Sequence, residues 1–285
     1  MTDTELLFRL GVTGVILFVM YLVAVSLIGG LFGLPVYIVI PLTLVFIVGQ
    51  YFVSQKLRLY RVGAYDVTRN ESPEIYGWLD DLAGYMEMET PRLMFAPMGG
   101  LANAFGIGRP KSGTVVVSEQ LMKILNNREL YALLGHELTH IKNRDMIVMT
   151  AAESIGSFLA FPFWLIGPLL KLVRTLPRVQ ALLFRIARSA KEAAKLATLA
   201  VSRVREYRAD EFVAQELELG EEMINALRKI QEVNRQVQAQ QLGVPASQLQ
   251  SRQNNFIARL LRTHPTIQDR VRRIKEQDPS IQTER

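Results

Sequence analysis

Residues 127–145 read NRELYALLGHELTHIKNRD, and this stretch organises the rest of the chain. Its centre is His136-Glu137-Leu138-Thr139-His140, in which two histidines are four residues apart. On a helix this spacing places both imidazoles on one face, where they can bind the same metal ion. Glu137 points to the side of the pair, where its carboxylate can take a proton from a metal-bound water. The motif is therefore typical of a zinc hydrolase.

The sequence around the motif predicts the helix that the motif requires. Residues 127–134 contain neither proline nor glycine. Apolar residues recur at helical spacing, namely Leu130, Leu133, Leu134, Leu138 and Ile141. The whole chain has only three histidines, so chance would rarely place two of them at this spacing around a glutamate.

Composition limits the ligands and the partners. The 285-residue chain is long enough for one or two domains, and it has no cysteine. Disulfides and thiolate ligands are thereby excluded, and a single zinc ion would have to bind His, Glu, Asp and water. The net charge of +6 comes from residues 171–205, which carry nine Lys or Arg against one Glu. No aromatic residues alternate with these cations after Phe184, so we expect no nucleic-acid partner.

A long apolar stretch predicts a membrane anchor. Residues 10–55 contain no charged side chain, which allows two spans of about 20 residues with a break at Gly29-Gly30 and Gly33-Leu34-Pro35. Basic residues flank both ends of this hairpin: Arg9, Lys56, Arg58 and Arg61. We therefore predict a multi-pass protein of the plasma or inner membrane, with its catalytic helix on the cytoplasmic side.

A second hydrophobic region follows the motif. Residues 146–170 contain one charge, Glu153, and are long enough for one span but not for two. Residues 178–203 form a basic amphipathic pattern, which fits either a helix on an anionic membrane surface or a solvated helix face. We expect that residues 178–203 do not cross the membrane fully, because it would cost free energy to place their charged side chains near the bilayer centre.

The remaining patterns predict an α+β fold that is mostly helical. Residues 92–96 and 114–118 are short β-rich runs on either side of a Gly-rich passage. Helical patterns cover residues 73–86, 119–125 and 221–242. The helix before residue 221 is predicted to end at Gly220. A short last helix has Ile267, Val271 and Ile274 on one face. The predicted divisions are 1–55 as the transmembrane hairpin, 56–145 and 205–285 as the two parts of a catalytic domain, and 146–204 as a membrane-associated insertion.

A catalytic zinc needs three protein ligands and one open position. Without cysteine, the third ligand must be a carboxylate or the remaining histidine, His264. Glu206 is the better candidate, because Asp210 follows one helical turn later and could hold a ligating imidazole in its tautomer. By composition alone, however, a glutamate and an aspartate at such positions are more often ordinary surface charges.

Several motifs in order resemble one protein family. HELTHIKNRD is preceded by the apolar hairpin and the Gly-Leu-Ala-Asn-Ala-Phe passage, and it is followed by EYRADEFVA and THPTIQDRVRRI. This combination is similar to the HtpX-type membrane metalloproteases, relatives of the CAAX prenyl endopeptidases in the gluzincin group. The resemblance implies a membrane-anchored gluzincin-type domain.

The resemblance also implies roles for individual residues. His136, His140 and Glu206 would bind one Zn²⁺, Glu137 would be the general base, and Asp210 would support a ligand. A second set would act on the substrate: Asn103, Ala104 and Phe105 near an edge strand that pairs with extended peptide, and His264 and Arg270 at the oxyanion.

The resulting expectation is a zinc-dependent endopeptidase at the cytoplasmic membrane face. Its partners would be the lipid bilayer and protein or peptide substrates, including damaged membrane proteins. One alternative is a prenyl-protein endopeptidase, although the chain has few apolar runs to enclose an intramembrane chamber. Another is a membrane scaffold with a structural zinc site, in which Glu137 would have no use.

Overall fold

The computed structural model describes residues 35–145, 203–245 and 265–277, together with a few isolated positions. The predicted first membrane span, nearly all of the insertion and His264 lie outside the described residues. The chain forms two compact units, one of residues 1–54 and 147–202 and the other of residues 55–146 and 203–285. Among the helices that are described, none has both the length and the apolarity needed to cross a membrane.

Helix α1, Val36–Val62, begins in the first unit and continues into the second. Its part in the first unit includes Pro41 and leaves large apolar side chains exposed. These are Tyr37, Ile38, Ile40, Leu44, Val45, Val48, Phe52 and Val53. So many exposed large apolar side chains are unusual for a helix that faces water.

The second unit contains a four-stranded sheet with the order β1-β2-β4-β3. Its strands are Tyr65–Asp66 (β1), Arg92–Ala96 (β2), Ala104–Ile107 (β3) and Thr114–Ser118 (β4). Strands β2 and β4 are parallel, and the outer pairs are antiparallel. The sequence predicted β2 and β4 with these bounds, whereas β1 and β3 are too short to show an alternating pattern. Strand β3 thus lies at an edge of the sheet.

Helices cover most of the remaining described residues. They are Pro73–Tyr85 (α2), Glu119–Ile124 (α3), Asn127–Lys142 (α4), residues 203–211 (α5), Gly220–Leu242 (α6) and Ile267–Gln277 (α7). Helix α5 continues into a π-helical turn, Phe212–Glu216. The prediction that Gly220 closes this helix was wrong. Gly220 is instead the first residue of α6, because the chain has already left the helix through the π turn and Glu218, whose φ is +54°.

The two faces of the sheet contact different helices. Val115 and Val117 of β4 belong to the main core with α2, α4 and α6, whereas Val116 faces the other side. This alternation follows from the two-residue period of a strand. On the second face, Leu59 and Val62 at the end of α1 cover the sheet. Helix α4 is therefore held in the core, with Leu134 and Leu138 fully buried.

The start of α4 is fixed by a capping box. The Asn126 side chain accepts from the Glu129 N–H, and the Glu129 carboxylate accepts from the Asn126 N–H. Lys229 of α6 lies 2.7 Å from the same Glu129 carboxylate. Because reciprocal caps satisfy otherwise unpaired N–H groups, they define where the helix begins and set the positions of the residues that follow.

Candidate metal centre

Helix α4 brings two imidazoles together at its buried end. His136 Nε2 and His140 Nε2 are 3.2 Å apart, and both rings are largely shielded from water. Glu206 of α5 reaches the same point from another element. Its Oε2 lies 3.6 Å from His136 Nε2, and its Oε1 lies 3.6 Å from His140 Nε2. These three residues can hold one metal ion.

The donor set fits zinc. With zinc–ligand bonds of about 2.0–2.1 Å, two donors of a tetrahedral site are about 3.3–3.4 Å apart, close to the spacings found here. The donor atoms are two imidazole nitrogens and a carboxylate oxygen, which are all common ligands of zinc. The set of two histidines and one glutamate leaves a fourth position open, as catalytic zinc sites do.

Each imidazole has its own carboxylate on the other ring nitrogen. His136 Nδ1 lies 3.1 Å from Asp210 Oδ1, and His140 Nδ1 lies 2.6 Å from Asp145 Oδ2. A carboxylate on Nδ1 favours a proton there and so turns the Nε2 lone pair toward the centre. Asp210, which the sequence made a candidate for holding a ligating imidazole, lies beside His136. Asp145 was missed, although it stands five residues after His140 in the motif stretch.

Arg270 of α7 joins Asp210 to Glu206. Its Nε and Nη2 lie 2.8 and 2.6 Å from the two Asp210 oxygens, and its Nη1 lies 3.4 Å from Glu206 Oε2. Burial alone would raise the pKa of Asp210, but Arg270 and His136 together lower it. Burial and Arg270 both lower the pKa of His136, yet the bonds to Asp210 and Glu206 prevail and raise it to about 9. The cluster therefore concentrates negative charge around the imidazoles.

Glu137 lies between the metal centre and the edge strand. It is 8% exposed, and its Oε2 accepts a hydrogen bond of 3.0 Å from the Gly106 N–H of β3. A Cβ atom on Gly106 would be only 2.8 Å from the Glu137 carbonyl oxygen and 2.8 Å from Ile141 Cγ1. The absence of a side chain at Gly106 is what allows β3 to approach α4 so closely.

The hydrogen bonds of β3 show which of its groups face the free edge. Asn103 bonds to Ser118 through both its N–H and its C=O, so its main chain faces β4. Directions alternate along an antiparallel strand, so Ala104 and Gly106 turn their main chains outward, as the Gly106 bond to Glu137 shows. Of the residues predicted to contact substrate, Ala104 turns its main-chain N–H and C=O toward the free edge of the sheet. Asn103 offers its exposed side chain, and Phe105 lies beneath Arg58 with its main chain toward β4.

A residue that the sequence did not reveal holds the start of this strand. Asn234 of α6 accepts from the Ala102 N–H at 2.7 Å and donates to the Ala102 carbonyl at 2.8 Å. Ala102 is fully buried, so these bonds satisfy groups that water does not reach. No local pattern signals a contact between residues 132 positions apart.

The comparisons with known proteins agree with this geometry. Residues 81–278 match peptidase family M48. A protease HtpX homologue of Halobacterium salinarum is 31% identical over 93% of this chain and 100% of its own length. Another, from Thermococcus kodakarensis, is 34% identical over 87% of this chain and 89% of its own.

A solved structure shares the fold. The crystal structure of S. mikatae Ste24p superposes with a TM-score of 0.57 at 18% identity, covering 95% of this chain and 65% of that one. This likeness concerns the fold alone. The family match and the HtpX homologues, which cover nearly the whole chain, show the family. The chain therefore belongs to peptidase family M48 and is a metalloendopeptidase of the HtpX type.

Proposed function

We propose that this protein is a zinc-dependent endopeptidase anchored in a membrane, which cuts extended segments of protein substrates at the cytoplasmic face. One observation carries the proposal: three ligand atoms converge beside a buried glutamate, and that glutamate is hydrogen-bonded to the free edge of the sheet. A structural zinc site would need neither the open fourth position nor the adjacent carboxylate.

The roles of the residues follow from their positions. His136, His140 and Glu206 would hold the zinc ion. When bound, the ion supplies Lewis acidity for the scissile carbonyl and lowers the pKa of water. Glu137 would take a proton from the attacking water and then deliver it to the leaving amine. Asp210 and Arg270 would hold Glu206 and His136 in place, through the bonds described above.

The substrate would lie along β3. An extended peptide can add to a sheet edge through main-chain hydrogen bonds, and Ala104 presents both an N–H and a C=O there. Because this recognition uses the main chain and not a chain terminus, it fits an endopeptidase. His264 and Arg270 are proposed to stabilise the developing oxyanion, with Arg270 using the Nη1 group that does not bind Asp210.

The membrane part of the proposal rests on sequence and on α1. The 46 uncharged residues at positions 10–55 and the exposed apolar side chains of α1 both fit an anchor in lipid. The basic flanks of the hairpin favour a cytoplasmic catalytic domain. An enzyme held there can reach cytoplasmic segments of membrane proteins, so we propose a role in the quality control of such proteins.

Metal removal tests the proposed function directly. The purified full-length protein in detergent is expected to contain about one zinc ion per chain and to cleave casein. Dialysis against a chelator should abolish cleavage, and one equivalent of Zn²⁺ should restore it, because the fold supplies the ligands but not the Lewis acid. Metal analysis and casein cleavage measure the two quantities. Full cleavage by the metal-free protein would contradict the proposal.

Substrate binding at β3 predicts an effect at Asn234. The Asn234→Asp variant keeps an acceptor for the Ala102 N–H but loses the donor to the Ala102 carbonyl. A buried polar group left unpaired costs about 1–3 kcal/mol, so the start of β3 should shift and KM for a peptide substrate should rise about fivefold to a hundredfold. Steady-state kinetics would measure the change, with kcat and zinc content nearly retained.

The matched control is Gln238→Glu, an exposed amide-to-acid change on the same helix. It alters the charge of α6 equally but has no bond to the strand. If Asn234→Asp and Gln238→Glu have the same KM as the wild type, the edge strand does not need this support to bind substrate.

A further inference from the structure

Asp145 is placed beside His140 by a sharp turn after α4. The helix ends at Lys142, and Arg144 then adopts a φ of +56°. A residue with a side chain adopts this left-handed conformation at some energetic cost, so contacts elsewhere must favour the turn. The turn brings Asp145 Oδ2 to 2.6 Å from His140 Nδ1, in a site where their side chains are only 10% and 14% exposed.

Arg205 holds Asp145 from the other side. Its Nη1 donates to the Asp145 main-chain carbonyl at 2.9 Å and lies 3.8 Å from Asp145 Oδ2. Arg205 is 12% exposed and directly precedes Glu206 in the sequence. One side chain therefore links the residue that supports one ligand to the segment that carries another.

The contact between Asp145 and Arg205 joins two residues that are 60 positions apart in the sequence. Asp145 is the last described residue before the stretch 146–202, and Arg205 is the third residue after it. The bond between them joins the two ends of that stretch within the second unit. We call Asp145 and Arg205 together the clasp.

We infer that Asp145 is a positioning residue for the ligand His140, and that the clasp makes metal binding depend on the two ends of residues 146–202 being held together. The inference rests on the proposed zinc site. Asp145 fixes the proton on Nδ1 and so directs Nε2 to the metal, whereas Arg205 fixes Asp145 and the start of α5. If the two ends separated, His140 would lose its support and Glu206 would move at the same time.

Zinc affinity of the full-length protein tests the inference. Loss of a carboxylate behind a ligating histidine typically weakens metal binding about 10–100-fold, so Asp145→Ala should raise the zinc Kd by that factor. Asp145→Asn keeps a carbonyl that can accept the Nδ1–H and should raise the Kd less. Competition with a chromophoric chelator measures each Kd, and the visible spectrum of the Co²⁺-loaded protein reports the ligand geometry.

A double-variant cycle tests the clasp itself. Arg205→Met should also raise the zinc Kd, and the Asp145→Ala/Arg205→Met double variant should raise it by less than the product of the two single effects, because Arg205 is inferred to act on His140 through the Asp145 carboxylate, which Asp145→Ala removes. Asp80→Ala is the matched control, since Asp80 is an exposed carboxylate that pairs with Arg69 in the same unit. Its zinc Kd should equal that of the wild type.

The outcomes separate this inference from the proposed function. If the wild type binds no zinc at this site, the proposed function fails as well. If the wild type binds one zinc and both Asp145 variants bind it equally well with an unchanged Co²⁺ spectrum, the inference alone is wrong. Independent, multiplicative effects of Asp145→Ala and Arg205→Met would overturn the clasp. Thermal unfolding of the metal-free proteins identifies a variant that does not fold, and Asp145→Asn and Arg205→Met then decide the result.

Discussion

Glu137→Gln should lower the rate of peptide cleavage by about 10²–10⁴-fold while about one zinc ion per chain is retained. Glutamine has the shape of glutamate but cannot take the proton from water. Glu137 is not one of the three residues whose ligand atoms converge, so metal binding should be retained. The Gly106 N–H can still donate to the amide oxygen, so the side chain should keep its position. Casein cleavage and metal analysis of the same preparation measure both quantities.

The contrast with His140→Ala makes this result specific. That variant loses a ligand, so it should lose both zinc and activity. A Glu137→Gln protein that cuts at a rate close to the wild type would show that another group acts as the base. A Glu137→Gln protein without zinc would show that Glu137 supports the metal site itself.

Arg270→Met should greatly destabilise the metal-free protein. The substitution removes the cation that binds both oxygens of the Asp210 carboxylate, which is only 1% exposed, and leaves His136 as its remaining partner. Removal of one partner of a buried ion pair typically costs about 3–5 kcal/mol, because the other charge stays buried and uncompensated. The free energy of unfolding, measured with urea, should fall by that amount. Zinc affinity should fall too, because Glu206 and His136 lose a neighbour.

A second substitution separates this structural role from the oxyanion role. Arg270→Met/Asp210→Leu removes both charges, so most of the lost stability should return. If Arg270 also stabilises the oxyanion, the double variant will still cut about a hundredfold more slowly than Asp210→Leu alone. Equal rates for Asp210→Leu and the double variant would limit Arg270 to holding Asp210.

The parts of the site that the sequence predicted are local. His136, Glu137 and His140 lie within one helical turn or so, and the helix could be predicted from its apolar stripe and the absence of proline. Strands β2 and β4 were predicted because they are short β-rich runs separated by a Gly-rich passage and turn residues. Glu206 and Asp210 were candidates by spacing, but only the resemblance to a family favoured them over surface charges.

The parts that were missed depend on contacts between distant segments. Asn234 meets Ala102 across 132 residues, and nothing near either residue indicates the bond. Strand β3 forms in a glycine-rich passage with little strand propensity, because β4 and the close packing on α4 hold it. Asp145 stood within the motif stretch, yet its role depends on a left-handed turn at Arg144 that an arginine does not predict.

The link between Arg270 and Asp210 has a consequence for biosynthesis. The histidine pair on α4 leaves the ribosome first, and Glu206 and Asp210 follow more than 60 residues later. The cation that Asp210 requires comes a further 60 residues on, in the last described helix. A nascent chain that ends before Arg270 therefore lacks the cation that binds both oxygens of the buried Asp210 carboxylate. The order of synthesis therefore withholds a stable metal site until Arg270 has been added, after the hydrophobic stretches at 10–55 and 146–170 have been synthesised.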